Sequence, residues 1–219
     1  MKRALFILFF LTTLPSFGQH DYMLWTKIGA EGKVIKRLKW GVDLNTRIGG
    51  AGVETFFPQV GLNYKLTKWL RTSLEYRLII DKNKYGNYKS SNRLNANLNF
   101  KNNKKRFWYG VRLRYQYAFN RLAQDAYDAD FDQAIRLKPS FEYDINNSII
   151  TPVVSGEFFY NPSYGPTSPG FSKVRISVGA KLELDGPHSV SFKYQLDKKF
   201  RDYSADLRHV LALSYGFKF

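Results

Sequence analysis

Along most of the chain, apolar and polar residues alternate with a period of two. In residues 69–80, Leu70, Leu74, Tyr76 and Leu78 oppose Arg71, Ser73, Glu75 and Arg77. In residues 93–100, Leu94, Ala96, Leu98 and Phe100 oppose Arg93, Asn95, Asn97 and Asn99. Successive strand side chains point to opposite faces, so this rhythm predicts strands with one apolar and one polar face. The same reading places strands over residues 23–34, 39–48, 56–66, 69–80, 93–100, 107–119, 131–145, 149–160, 171–184, 189–198 and 207–219. Turn residues separate them, among them Thr67-Lys68, Asn102-Asn103-Lys104-Lys105, Asn146-Asn147 and Asp185-Gly186-Pro187-His188. Pro139 and Pro152 lack the backbone donor a ladder needs, and each is expected to mark a bulge or a lost hydrogen bond.

Four polar side chains on one face of a single strand do not suit a dry core. A lipocalin-like soluble barrel puts its apolar face inward, the reverse of what these arginines require. Beyond the N-terminal segment, no apolar run approaches the roughly 18 residues of a helical span. Strands satisfy their backbone within a membrane only by closing on themselves. The expected fold is therefore all-β, a transmembrane antiparallel up-and-down barrel with a polar lumen rich in Arg and Glu. Eleven strands are legible, yet bacterial single-chain barrels ordinarily hold an even number. Either one assigned hairpin is wrong or residues 19–26 supply a further short strand; we expect 10 to 12 strands and favour 12. Connections read as alternating short and long, the pattern that separates periplasmic turns from surface loops.

Both ends of the chain bear on location. Lys2 and Arg3 precede an apolar run over residues 4–14, and Ser16-Phe17-Gly18 offers small residues where a signal peptidase cuts. Residues 1–18 are expected to be removed, leaving Gln19 first and residues 19–219 as one domain. The chain has no cysteine, which excludes a lipoprotein anchor and a disulfide framework. The final strand alternates to its end on Tyr215, Phe217 and Phe219. It resembles the C-terminal targeting strand of outer-membrane barrels, which makes these three the expected signal to the barrel-assembly machinery.

Charge narrows the partners. The sequence carries 34 basic and 18 acidic residues, and loss of Lys2 and Arg3 leaves 32 against 18, a formal charge of +14. Interleaved Tyr and Arg would suit nucleic acid, but the export signal excludes that partner. The expected counter-charges are lipopolysaccharide phosphates, anionic solutes and the protein's own lumenal carboxylates. No cofactor is expected, and no solute is identified.

Four short stretches stand out on the strands: Leu24-Trp25, Glu75-Tyr76-Arg77-Leu78, Arg112-Leu113-Arg114-Tyr115-Gln116-Tyr117 and Glu157-Phe158-Phe159-Tyr160. Taken together they resemble the outer-membrane barrel family catalogued as domain of unknown function 2490, over essentially the whole mature length. The resemblance implies location and architecture and transfers no catalytic residue.

Candidate chemistry gathers in the lumen. Glu75, Arg77, Arg93, Arg112, Arg114, Arg136, Glu142, Glu157, Arg175 and Glu183 all fall on predicted inward positions. In a barrel of this size side chains from opposite walls can meet, so guanidinium–carboxylate pairs are expected to bridge the lumen and satisfy one another. Such a network braces and plugs the barrel, since buried charges need partners. A ring of unneutralised Arg and Lys would instead make a narrow anion conduit. A lipid hydrolase needs a base within reach of a hydroxyl. Of three histidines only His209 is expected on an outward strand face, and Leu211 holds the neighbouring position where a hydroxyl would serve. The loop over residues 125–132 opens with the spacing of a calcium loop but has Gln133 and Pro139 where the turn glycine and closing glutamate belong, so it reads as a solvated acidic loop.

Overall fold

The computed structural model describes residues 20–83, 85–119, 133–162, 170–200 and 207–219. Among them eleven strands form in chain order: β1 (His20–Ile35), β2 (Leu38–Gly49), β3 (Gly52–Lys65), β4 (Leu70–Lys82), β5 (Tyr88–Lys104), β6 (Phe107–Phe119), β7 (Gln133–Tyr143), β8 (Ile150–Asn161), β9 (Gly170–Glu183), β10 (His188–Lys199) and β11 (Leu207–Lys218). Each pairs with its chain neighbours, and β1 pairs with β11 to close the barrel.

The closure corrects the favoured count of twelve. Residues 20–26 are not a separate strand: they run into β1 without a turn residue, and Asp21, Met23, Trp25 and Lys27 keep the alternation unbroken. A ring whose chain neighbours are all antiparallel closes antiparallel only with an even strand number. With eleven, one seam must be parallel, and it is β1 against β11, in register from His20 opposite Leu207 to Glu31 opposite Lys218.

One rim carries the connections 36–37, 66–69, 105–106, 144–149 and 184–187; we call it the turn rim. At the other, the loop rim, lie the strand ends Gly49, Gly52, Lys82, Tyr88, Phe119, Gln133, Asn161, Gly170, Lys199 and Leu207. The expected alternation of short and long fails once there. Strand pairing continues from Arg47 opposite Thr55 through Ile48 opposite Val53 to Gly49 opposite Gly52, and Gly52 adopts a φ of 84° that closes the chain in a tight turn. The leader over residues 1–18, the start at Gln19 and the acidic loop over residues 125–132 lie outside the described residues.

Burial is inverted relative to a soluble domain. Outward positions such as Leu44, Val60, Leu62, Leu74, Leu98, Leu113, Leu137, Val154, Val178 and Leu213 are exposed. Among the most deeply buried side chains are Glu157, Asn95 and Asp197, at 1%, 0% and 0% exposure. The strand period produces this directly: most of the apolar set faces out, and the charged set lies in the lumen, among a few apolar side chains such as Met23, Phe57, Ile79 and Val210. Prolines interrupt two ladders. β7 and β8 pair at Leu137–Phe158 and again at Ser140–Ser155, skipping Lys138-Pro139; β3 and β4 skip Phe57-Pro58 in the same way. Pro152 keeps its place opposite Ala180 in the β8–β9 ladder but has no partner on β7, where pairing ends at Glu142 opposite Val153.

Candidate functional site: the lumen

Three carboxylates organise the interior. Glu75 on β4 receives both oxygens' worth of bonding from one Arg114 nitrogen, Nη2, at 3.0 and 3.2 Å. Arg114 also donates from Nε to Asn97 Oδ1 at 2.5 Å, and Asn97 Nδ2 donates to Glu75 at 3.0 Å and to Ser73 Oγ at 2.9 Å. The alternation makes this closed set possible. Ser73 and Glu75 on β4, Asn97 on β5 and Arg114 on β6 are inward residues of adjacent strands, with Asn97 opposite both Ser73 and Arg114.

Glu157 on β8 is the second centre. Its Oε1 accepts from Arg112 Nη2 at 2.9 Å and from Arg136 Nε and Nη2 at 3.1 and 2.9 Å. Arg175 Nη1 stands 3.6 Å from Oε2. Arg175 in turn grips the third centre, Asp197 on β10, with Nε and Nη2 each 2.6 Å from a different oxygen. This two-toothed geometry is what a planar guanidinium offers a carboxylate. Arg175 thereby ties β8, β9 and β10 into one charged unit.

Aromatic faces fill the space between guanidiniums. Phe159 has Arg136 and Lys173 each 4.4 Å from its ring centre. Trp25 has Arg47 at 4.3 Å and Arg175 at 4.7 Å, and Phe57 has Arg77 at 4.4 Å. Desolvated contacts of this kind contribute up to about 2 kcal/mol each. Arg77 also donates twice to Gln59 Oε1, and Gln59 donates to Asp43. At the parallel seam Arg208 pairs with Asp21.

Of the ten lumenal residues proposed from sequence, the structure brings Glu75 together with Arg114, and Arg112, Arg136 and Arg175 together around Glu157. Arg77 is buried against Phe57 and Gln59. Arg93, 3% exposed, lies opposite Arg77 in the ladder. Glu142 stands apart, nearer the turn rim, where Lys181 and Lys101 hold its two oxygens at 2.5 and 2.9 Å. Glu183 is exposed at the end of β9 and makes no ion pair among the described residues. The carboxylate pairs described above link strands one or two places apart rather than opposite walls, because a side chain reaches the next inward column sooner than it crosses the lumen.

Sequence reasoning missed the aromatic part of this interior. Trp25, Phe57 and Phe159 stand on the polar, inward side of their strands, and that breach of the alternation was the available signal. It also missed the sorting of outward aromatics. Toward the turn rim, Trp69 meets Phe100, Phe100 meets Tyr109, Phe107 meets Tyr143, and Trp40 meets Phe219, with ring centres 4.8–6.3 Å apart. Phe217 packs edge-on against Phe219 and His188, and Tyr215 bonds His188 Nδ1 at 2.7 Å. Toward the loop rim lie Tyr117 with Phe119, Tyr160 with Phe171, and His209 stacked on Tyr22. His209 Nδ1 is 2.5 Å from the Tyr194 hydroxyl, and Leu211 shares its face. Among the described residues no cluster of three or more His, Asp or Glu is arranged to hold a metal ion.

The model of the family described as "Protein of unknown function (DUF2490)" matches residues 23–207. No curated protein matches the chain.

Proposed function

We propose, from the premise that this chain belongs to the DUF2490 family, that it is a barrel inserted in the outer membrane of a double-membraned bacterium, with a lumen braced by charge rather than freely conducting. The observation that carries this reading is an exposed apolar wall bounded by aromatic residues toward both rims, around an interior of paired Arg, Glu and Asp. Lipid matches such a wall: outer-membrane barrels present an apolar band between two aromatic girdles. Water would not, since an exposed apolar surface this extensive drives association. The turn rim then faces the periplasm and the loop rim faces outward, with lipid and lipopolysaccharide as neighbours.

The role that fits this interior is structural, or the handling of small ions and solutes, rather than bulk passage or lipid hydrolysis. Arg112, Arg114, Arg136 and Arg175 already have carboxylate partners, and Trp25, Phe57 and Phe159 occupy the space between neighbouring guanidiniums. One feature favours a second reading, a narrow anion-preferring channel: near Glu142, cations outnumber carboxylates. Cell fractionation tests location, with recovery in the outer-membrane fraction and heat-modifiable gel migration as the expected result. Recovery as soluble periplasmic protein would refute insertion. Planar-bilayer recording separates the two roles: small or absent conductance is expected, and a steady anion-selective channel would replace the braced lumen with the conduit.

A further inference from the structure

In the half of the lumen nearer the turn rim, small inward side chains leave a cavity of about 220 Å³. Gly110, Ser140 and Ser155 stand on its wall, each with a charged inward residue two places along its strand: Arg112, Lys138 with Glu142, and Glu157. At about 30 Å³ per water molecule it has room for roughly seven waters, enough for a phosphate ion or a small phosphomonoester.

Its wall is cationic. Arg112, Lys138, Lys181, Lys193 and Lys101 border it, with Glu142 as the one carboxylate. Glu142 has both oxygens engaged by Lys181 and Lys101. Arg112 gives Nη2 to Glu157, while its buried Nε–H makes no hydrogen bond. Lys138 and Lys193 form no ion pair among the described residues. A braced interior has no use for two ammonium groups that no carboxylate contacts at ion-pair distance, because partly desolvated like charges destabilise one another. The backbone makes room for one of them: a Cβ on Gly179 would lie 2.8 Å from Lys193 Cγ and 2.1 Å from Phe192 O, so the Lys193 stem crosses β9 where only glycine fits.

We infer that this basin is a binding site for a small phosphate-type oxyanion. The donors stand on β6, β7, β9 and β10 and so approach from several directions, which suits a tetrahedral oxyanion better than a planar carboxylate. Ser155 and Asn99 on the same wall add neutral donors, and the Ser140 hydroxyl has only a long 3.5 Å bond to the Gly110 carbonyl to give up. The site goes beyond the braced-lumen reading, since it needs only the closed barrel. Its opening toward the periplasm rests on the proposed orientation. A dissolved anion fits better than a lipid headgroup, because the basin lies inside the wall and lipid acyl chains would contact only its outside.

Titration calorimetry of the full-length mature chain in zwitterionic detergent tests the site, with inorganic phosphate, acetate and chloride compared at matched ionic strength. Saturable binding of one phosphate is expected, at least tenfold tighter than acetate. Lys138→Gln and Lys193→Gln should each weaken it at least tenfold, while Lys68→Gln, an exposed turn residue, leaves it unchanged. If either basin variant fails to assemble, the wild type alone decides: phosphate must raise its unfolding temperature above that in chloride of equal ionic strength. Absence of saturable phosphate binding by heat-modifiable protein overturns the site, as does equal weakening by Lys68→Gln. These outcomes leave the fractionation result, and with it the membrane reading, untouched.

Discussion

Replacing Glu157 with Gln asks what the lumenal charges are for. Glu157 is 1% exposed, and one of its oxygens accepts three bonds of 2.9–3.1 Å from two guanidiniums. The neutral amide keeps an acceptor oxygen but removes the charge that Arg112 and Arg136 face, and it turns a donor toward Arg175. Arg175 loses least, since its bidentate hold on Asp197 remains. Arg136 is more buried than Arg112, with side-chain exposures of 11% and 28%, so most of the loss falls on Arg136. Breaking a buried pair by removing one partner costs about 3–5 kcal/mol. That is the loss expected in reversible urea unfolding of the protein in micelles, followed by tryptophan fluorescence. A double-mutant cycle with Arg136→Gln should return a coupling of about 1–3 kcal/mol. Single-channel conductance should stay near zero. If stability falls by less than about 1 kcal/mol while anion conductance rises, the arginines are already solvated in a wet path, and the argument that they brace the wall is wrong.

Three further outcomes follow from the same geometry. Gly179→Val should destabilise the barrel by at least about 2 kcal/mol through collision with Phe192 O and the Lys193 backbone, as read by the temperature of the heat-modifiable gel shift; an unchanged temperature would show that the β9–β10 approach is looser than described. Phe219→Asp removes ring contacts with Trp40 and Phe217 and should lower the assembled fraction far more than Lys218→Gln, measured as the folded band in outer membranes; equal effects would argue against an assembly role for this aromatic. Purified protein in mixed micelles should release no fatty acid from phospholipid or lipopolysaccharide, and turnover abolished by His209→Ala would establish a hydrolase instead.

The period-two alternation, together with the lack of any apolar run long enough for a helical span beyond the N-terminal segment, pointed to an all-β barrel with its charges inside. Strand geometry sends every second side chain to the same face, so Arg93, Asn95 and Asn97 could only share a wall with Arg112 and Arg114 or with water. Local sequence also locates the turns, because residues such as Asn147 and Gly186, with φ of 55° and 82°, suit left-handed backbone. The strand number was decided elsewhere. Alternation in residues 20–35 is compatible with one strand or two, and only closure of the ring, with its parallel β1–β11 seam, counts them. Pairing was likewise a tertiary matter. Glu157, Glu142 and Glu183 all read as inward carboxylates, yet the first is surrounded by three arginines, the second by two lysines, and the third lies exposed at a strand end. A strand's pattern gives the face of a residue but not its height along the barrel relative to strands far away in sequence. Register between neighbouring strands sets that height, and height decides whether a charge meets a partner, an aromatic face or the basin beside Lys138 and Lys193.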